Sequence, residues 1–331
     1  MANYTTIDDP SAYFQTVIYT GNATARSITF DGNSDMQPDW IWGKQRSGTD
    51  SHQLTDSVRG VTKILNSDTT AAENTTSAAI TAFGSNGFSL GTGGGYNGNN
   101  VTQVAWNWKK TADAGFDIVS YSGNNSTNRQ ISHSLSAKPD MMLVKCRQSG
   151  LWKIYHSSLG ATKYLVLNDT AGVVDSNSTW NDTEPTSSNF TLGDDGNVNE
   201  TGETYINYLF AEKQGYSKFG SYTGNGNANG AFVYTGFKPA WVMVKRTDGG
   251  ANYWEIRDNK REPNNAMYFR LFPNTASAES QDANEKIDYL SNGFKLRNTT
   301  TGSNGSGNSY IYMAFAENPF VASNFNPATA R

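Results

Sequence analysis

Short apolar runs that end in small polar residues follow one another along most of the chain. In Trp40–Gln45, the alternation of side chains places Trp40, Trp42 and Lys44 on one face and Ile41 on the other. Apolar residues on both faces are typical of a strand that is buried between two layers. The same pattern occurs in two further segments, Met141–Cys146 and residues 241–246. We therefore predict a buried central strand at each of these three places.

Sequence landmarks around these strands recur three times in the same order, at a spacing of about 100 residues. They are a Tyr-x-Gly-Asn turn that begins at Tyr19, Tyr121 and Tyr222, and a strand that follows Pro38, Pro139 and Pro239. Solenoid repeats are roughly 20–50 residues long, whereas this period has the length of a small domain. We predict three tandem modules over residues 1–110, 114–213 and 216–318, and an extended tail over residues 319–331. The modules would form either a pseudo-threefold arrangement or a row of three beads.

Each predicted module contains roughly six to eight short strands, separated by Gly, Asn, Ser and Thr residues that favour turns. Val, Thr and aromatic residues favour strands over helices. The sequence therefore predicts an all-β protein of three tandem antiparallel β-sandwich or jelly-roll-like modules. We expect three loops rich in polar residues and glycine to be exposed, over residues 91–100, 194–202 and 299–308.

The composition narrows the range of functions for this chain of 331 residues. A formal net charge of −4 argues against nucleic acid as the main partner, because phosphate binding requires a basic surface. The sequence has no apolar run of about 18 residues, so we predict no membrane span. The single cysteine, Cys146, excludes an intrachain disulfide. The first residues lack the basic and apolar regions of a secretory signal, so we predict no signal peptide.

The lysine near the end of each predicted central strand is a candidate for ligand contact: Lys44, Lys145 and Lys245. Beside aromatic residues, these lysines would form a cationic edge suited to sugars or acidic polymers. Alternatively, their alkyl stems pack on the core and their ammonium groups reach solvent. Four aromatic residues near loop-like sequence leave a similar choice between stacking on sugars and packing in a core or interface: Trp152, Trp180, Tyr253 and Trp254.

Little in the sequence indicates catalysis, and we predict neither a cofactor nor an enzymatic activity. The three histidines lie at non-equivalent points, and no metalloprotease or serine-hydrolase motif is present. Two acidic pairs are nominal candidates for a glycosidase, Asp182 with Glu184 and Asp194 with Asp195. Asp194, Asp195 and Asn197 also have the oxygen-rich character of a Ca²⁺ loop. The spacing of an EF-hand is missing, so a simple turn is the alternative.

Several motifs of the three modules are shared with a known group of proteins. They include Tyr-Thr-Gly-Asn-Gly at residues 222–226, Asn-Gly-Phe at residues 292–294 and Ala-Phe-Ala-Glu-Asn-Pro-Phe at residues 314–320. The chain resembles, on these motifs, a family of structural proteins with triplicated modules that is encoded by tailed bacteriophages, especially marine ones. The resemblance covers almost the whole chain and is closest over residues 216–320. The first module departs most, because it has Trp-Asn-Trp at residues 106–108 where the others have Phe-Ala-Glu.

The resemblance implies a component of the virion, such as a tail fibre, a tail tip or a protein that decorates the capsid surface, assembled in the host cytoplasm. Its partners would be copies of itself, with a trimer favoured, other virion proteins and a glycan of the host surface. The resemblance transfers no catalytic residue. Two alternatives stay open: a glycan-binding adhesin whose aromatic residues stack on sugars, and a polysaccharide depolymerase that uses an acidic pair.

Overall fold

The computed structural model describes residues 4–322 and residue 327 of the chain. Most of the predicted tail, residues 323–326 and 328–331, lies outside the described residues. The strands form three units, which we number in chain order. Besides the strands there are three helical turns, α1 (Gly94–Asn97), α2 (Asn177–Trp180) and α3 (Gly196–Asn199), and a 3₁₀ turn at Pro10–Ala12. Among the described residues, no helix has the length and apolar character that crossing a membrane requires.

The strand bounds of the three units are as follows. The first unit contains β1 (Phe14–Thr20), β2 (Arg26–Thr29), β3 (Trp40–Gln45), β4 (Gln53–Asp56), β5 (Lys63–Asn66), β6 (Asn74–Thr75), β7 (Ile80–Gly84), β8 (Gly87–Leu90) and β9 (Thr102–Trp108). The second contains β10 (Phe116–Ser122), β11 (Arg129–Ser132), β12 (Met141–Cys146), β13 (Lys153–His156), β14 (Lys163–Val166), β15 (Val174–Asp175), β16 (Asn189–Leu192) and β17 (Thr204–Phe210). The third contains β18 (Ser217–Thr223), β19 (Phe232–Tyr234), β20 (Phe237–Arg246), β21 (Glu255–Asp258), β22 (Phe269–Arg270), β23 (Ser280–Gln281), β24 (Ile287–Leu290), β25 (Gly293–Leu296) and β26 (Ser309–Pro319).

Each unit contains one large sheet, and the first four strands have the same order in all three sheets. The orders are β1-β9-β3-β4, β10-β17-β12-β13 and β18-β26-β20-β21. Strands β5 and β6 extend the first sheet, and β14 and β15 extend the second. A small sheet accompanies each large one, with the orders β2-β8-β7, β11-β16 and β19-β25-β24. The strand pairs are antiparallel, which confirms the predicted all-β, antiparallel class.

The outer face of each large sheet packs against the small sheet of its own unit. In the first unit, Ile41 of β3 and Phe88 of β8 lie in one buried cluster. The corresponding pairs are Val144 with Phe190 in the second unit and Val244 with Phe294 in the third. Each central strand therefore has one apolar layer outside it.

The inner faces of the three large sheets meet in a single aromatic core. Trp40 of the first unit stacks on Tyr208 of the second, with ring centroids 4.4 Å apart. Trp108 of the first unit meets Trp241 of the third edge-on at 5.7 Å. The second and third units meet through Phe210 and Phe315, at 5.8 Å. Each pair of units is therefore in direct contact, so the units surround a common core and do not form a row of beads. Burial of each large ring in this core contributes about 1.5–3 kcal/mol.

The predicted alternation in the central strands agrees with this arrangement. Trp40 and Trp42 lie in the shared core, whereas Ile41 lies in the outer core of the first unit. Strands β3 and β12 have the predicted bounds, but β20 begins at Phe237 rather than at Trp241. The added residues pair with β26 across an irregular register, which lengthens the third sheet.

The described N-terminal segment lies against the third unit. Tyr4 Oη donates a hydrogen bond to Gly236 O at 2.7 Å, and the Tyr4 ring meets Phe320 edge-on at 6.4 Å. Ile7 is buried in the shared core. The segment therefore connects the beginning of the first unit to the end of the third.

Candidate functional site

The Tyr-x-Gly-Asn turn of the first unit is held by a buried asparagine that lies far along the chain. Asn97 Oδ1 accepts the N–H of Asn22 at 3.0 Å, and Asn97 Nδ2 donates to Thr24 O at 2.8 Å. Tyr19 Oη donates to Tyr96 O at 2.8 Å. Tyrosine and asparagine of the motif are thus bonded to one helical turn, so the motif has a structural role.

The turns of the other two units have the same construction. The buried asparagines there are Asn199, which accepts from Asn124 N, and Asn304, which accepts from Asn225 N, both at 3.1 Å. The glycine of the motif is required because a Cβ at Gly123 would lie 2.0 Å from Glu200 O. The first strand of each unit, β1, β10 and β18, is followed by a mostly exposed turn without charged residues, over residues 21–25, 123–128 and 224–229.

The three loops that were expected to be exposed are partly buried. Asn97, Asn199 and Asn304, at the centres of these loops, are fully inaccessible. The sequence analysis missed them because Gly- and Asn-rich composition is also typical of solvated loops. An asparagine at a nearly constant distance after each Tyr-x-Gly-Asn turn was the signal that could have identified them.

The three lysines predicted as ligand contacts are inaccessible as well, because loops cover the ends of their strands. Lys44, Lys145 and Lys245 are each 0% exposed. Lys145 Nζ donates to Thr70 O of the first unit at 3.2 Å and to Gly150 O at 2.8 Å. Lys245 Nζ bonds Thr170 O and Asn252 O, and Lys44 Nζ bonds Gln45 O and Gly48 O. Burial lowers the pKa of each lysine to about 8. The ammonium groups neither reach solvent nor face an external ligand. Both the expected cationic edge for ligands and the alternative of solvent-exposed ammonium groups are therefore wrong.

Two of the tryptophan candidates join neighbouring units. Trp152 Nε1 donates to Asn66 O of the first unit at 2.8 Å. Trp254 Nε1 donates to Val166 O of the second unit at 3.0 Å. His52 holds the equivalent position before β4, and burial keeps the pKa of its imidazole well below the ordinary value. Both tryptophans are buried, so they serve the interfaces between units and are unavailable for stacking on sugars.

The other two aromatic candidates differ in exposure. Trp180 is buried in the core of the second unit, where its Nε1 donates to Lys163 O at 3.2 Å. Tyr253 is 47% exposed and packs against Phe272, with ring centroids 5.0 Å apart. Of the four aromatic candidates, Tyr253 alone is accessible to a ligand.

The suggested Ca²⁺ loop is an internally bonded turn. Asp195 caps α3 by accepting the N–H of Asn197 at 2.9 Å, and it pairs with Lys153 Nζ at 2.9 Å. Burial alone would raise the pKa of Asp195, but these bonds lower it overall. Asn197 Oδ1 accepts the N–H of Leu151 at 2.8 Å, and Asp194 is exposed. Within the described part of the chain, no group of three or more His, Cys, Asp or Glu side chains is placed to hold a metal ion.

In each suggested glycosidase pair, one carboxylate is already bonded to a lysine. Glu184 accepts from Lys138 Nζ at 2.7 Å and from Tyr155 Oη at 2.6 Å. Asp182, its partner in sequence, is exposed. Asp195 is held by a lysine in the same way and Asp194 is exposed, so each pair combines one bonded and one solvated carboxylate.

Charged side chains form a largely buried network at the joint between the first and second units (the 1/2 joint), in which Asp56 and Arg59 are buried and Arg147 is partly exposed. Arg59 Nε contacts Asp56 Oδ2, and Arg59 Nη1 lies 3.1 Å from Glu73 Oε2. Glu73 accepts two bonds from Arg147 of the second unit, at 2.8 and 3.0 Å. Tyr208 Oη donates to Asp56 Oδ2 at 2.7 Å. Burial would raise the pKa of Glu73, but the bonds from two arginines lower it overall.

The joint between the third and first units (the 3/1 joint) repeats this network. Arg261 Nε contacts Asp258 Oδ2, and Arg261 Nη1 lies 2.8 Å from Glu279 Oε2. Glu279 accepts two bonds from Arg46 of the first unit, at 2.8 and 3.0 Å. Trp106 Nε1 donates to Asp258 Oδ2 at 2.9 Å. Neither arginine network was recognised in the sequence, because its members lie in different units.

The joint between the second and third units (the 2/3 joint) is different. His156 Nδ1 accepts the N–H of Ser158 at 3.2 Å, so Nε2 carries the proton and donates to Tyr312 O at 3.2 Å. Burial lowers the pKa of His156 to about 4, which keeps the imidazole neutral. Leu159 and Val173 pack against the shared core beside it.

A cleft of about 150 Å³ opens between the first and third units. Polar side chains in its lining are bonded to each other: Lys260 to Asp31 at 2.7 Å, and Asn259 to Glu317 at 2.6 Å. The cleft is a feature of the interface between these units.

The fold and these contacts define an all-β protein in which three antiparallel units close around one aromatic core. The chain belongs to the family described as Domain of unknown function (DUF7483), which matches residues 9–319. The match spans all strands from β1 to β26, so the family extends over all three units. No curated protein matches the chain.

Proposed function

We propose that the chain is a non-enzymatic structural protein of a bacteriophage particle, displayed as a tail fibre, tail-tip or head-surface component. The observation that carries the proposal is the closed arrangement of three units around a shared core, with a similar exposed and uncharged turn after the first strand of each unit. The sequence resemblance to virion proteins with triplicated modules supports the same role.

The polar turns are the surface that we propose for contact with other virion proteins or the host. Each turn is held by a buried asparagine, so its conformation is fixed before a partner arrives. A fixed surface loses little conformational entropy on binding, which favours stable assembly. Self-association as a trimer stays a prediction. The chain does not need other copies to close its core, because its own three units share one.

The test is mass spectrometry of particles purified from a culture that produces the protein. Peptides of the chain should copurify with the major virion proteins through a density gradient, in a constant ratio. Their absence from particles, with the protein present in the lysate, would contradict the proposal. Light scattering of the purified protein gives its mass and decides between a trimer and a monomer.

A second candidate function, glycan contact, is favoured by the exposed Tyr253 ring, which rests on Phe272 at 5.0 Å. An exposed ring supported from behind suits stacking on a sugar. On a glycan array, binding by the wild-type protein should be lost in Tyr253→Ser and kept in Val174→Ser, a change at an exposed site on β15. Equal signals from both variants would exclude Tyr253 as the contact.

A further inference from the structure

The three joints share one backbone contact. The N–H of Glu73 donates to Arg147 O at 2.7 Å in the 1/2 joint, and the N–H of Glu279 donates to Arg46 O at 2.8 Å in the 3/1 joint. In the 2/3 joint, the N–H of Val173 donates to Thr247 O at 2.9 Å. Equivalent residues therefore meet at each joint, and their side chains can be compared position by position.

In the 2/3 joint, every charged residue of the ionic network is replaced by an uncharged one. Where the other joints have Asp, Arg, Glu and Arg, this joint has uncharged side chains at all four positions: His156, Leu159, Val173 and Thr247. The hydrogen-bond donors Tyr208 and Trp106 also have an apolar counterpart. Tyr208 pairs with Leu143 of its central strand, and Trp106 pairs with Trp42. In the third unit the same position is occupied by Met313, which pairs with Met243 and is therefore the apolar counterpart.

Each unit contributes a different face to each of its two joints. The first face contains Asp56, Arg59 and Glu73 or the residues equivalent to them, and the second face contains Arg147 or its equivalent. The first face is charged in the first and third units and apolar in the second unit. The first and second units have an arginine on the second face, and the third unit has Thr247.

We propose that these matched side-chain sets determine which unit packs against which. In the observed cyclic order, charged faces meet arginine faces twice and the apolar face meets the threonine face once. In the reverse order, the apolar face of the second unit would meet Arg46, and the charged face of the first unit would meet Thr247. A buried charge without its partner is strongly destabilising, so two joints of the reverse order would be mismatched.

The same matching restricts contacts between copies of the chain. A ring made of second units alone would place Val173 against Arg147, and a ring made of third units alone would place Glu279 against Thr247. Both combinations leave a charged side chain without its partner. The side-chain sets therefore disfavour rings made of second units alone or of third units alone.

A double-mutant cycle at the 2/3 joint tests the proposal. Val173→Glu introduces the carboxylate of the ionic joints, and Thr247→Arg introduces its partner. The matched control is Val174→Glu, since Val174 is exposed and adjacent in sequence. We expect Val173→Glu to lower the urea midpoint far more than Val174→Glu does. Adding Thr247→Arg should recover most of the lost midpoint.

Two results would overturn the proposal. One is an effect of Val173→Glu no larger than that of the control, and the other is a double variant whose midpoint is the sum of the single changes. If Val173→Glu does not fold, the reverse cycle with Glu73→Val and Arg147→Thr at the 1/2 joint supplies the same measurement. There the double variant should be less destabilised than the sum of the two single variants, and additivity would again refute matching.

Discussion

Replacing Asn199 by alanine tests whether a buried asparagine holds the Tyr-x-Gly-Asn turn. Asn199 Oδ1 accepts from Asn124 N at 3.1 Å and from Arg129 Nη1 at 2.8 Å. Asn199 Nδ2 donates to Ser126 O at 2.9 Å and to Gly193 O at 2.8 Å. Alanine removes all four bonds and leaves the groups that face them without this partner.

The magnitude follows from the burial of those groups. The bond to Gly193 O is buried, and an unsatisfied buried carbonyl costs about 1–3 kcal/mol. The bonds to Asn124 and Ser126 are partly buried, and losing each costs about 0.5–1.5 kcal/mol. We therefore expect Asn199→Ala to lower the free energy of unfolding by roughly 2–6 kcal/mol.

Urea unfolding followed by tryptophan fluorescence measures this change. Thr127→Ala is the control, because Thr127 is an exposed residue of the same turn. Asn199→Asp distinguishes the loss of hydrogen bonds from the loss of side-chain volume. It keeps the size of the side chain and Oδ1, but it loses the two bonds that Nδ2 donates. A loss for Asn199→Ala equal to that of the control would refute the role of the asparagine, and full stability of Asn199→Asp would refute the role of its donors.

Two further predictions concern the joints between units. The pKa of Lys145 is about 8 in the folded protein and 10.5 ordinarily, so the unfolded state binds more protons between these values and stability should rise with pH there. Lys145→Met should flatten this rise in urea midpoints measured across that range, and an unchanged slope would contradict the assignment. Trp254→Phe removes the bond to Val166 O and should cost about 1–3 kcal/mol by urea unfolding, with Tyr253→Phe as an exposed neighbouring control. Equal losses in these two variants would show that the bond across the joint is dispensable.

The alternation of side chains was sufficient to predict the central strands and their faces. Trp40 and Trp42 were placed opposite Ile41, and these residues occupy the shared and outer cores respectively. The pattern is local, because successive side chains of a strand point to opposite faces whatever covers them. For the same reason, the bounds of β3 and β12 agree with the prediction.

The burial of the lysines and tryptophans could not be predicted in this way. Lys145 lies at a strand end, where a lysine ordinarily reaches solvent, but the loop around Thr70 of the preceding unit covers it. Trp152 precedes a strand in a loop-like segment, and its acceptor Asn66 O belongs to another unit. A single sequence does not indicate which distant loop covers a given strand end, so the candidates for ligand contact were chosen by residue type and by their place near a strand end or a loop.

The shared core changes the meaning of the period of about 100 residues, which has the length of an independent domain. Trp40 stacks on Tyr208 across one joint, and Trp108 meets Trp241 across another. Removing any one unit would therefore expose aromatic surface on the other two. Repeats of this kind depend on their neighbours as solenoid repeats do, although here the neighbours close a ring. Since the family match at residues 9–319 also spans all three units, the closed arrangement is the form in which the function of this chain has to be tested.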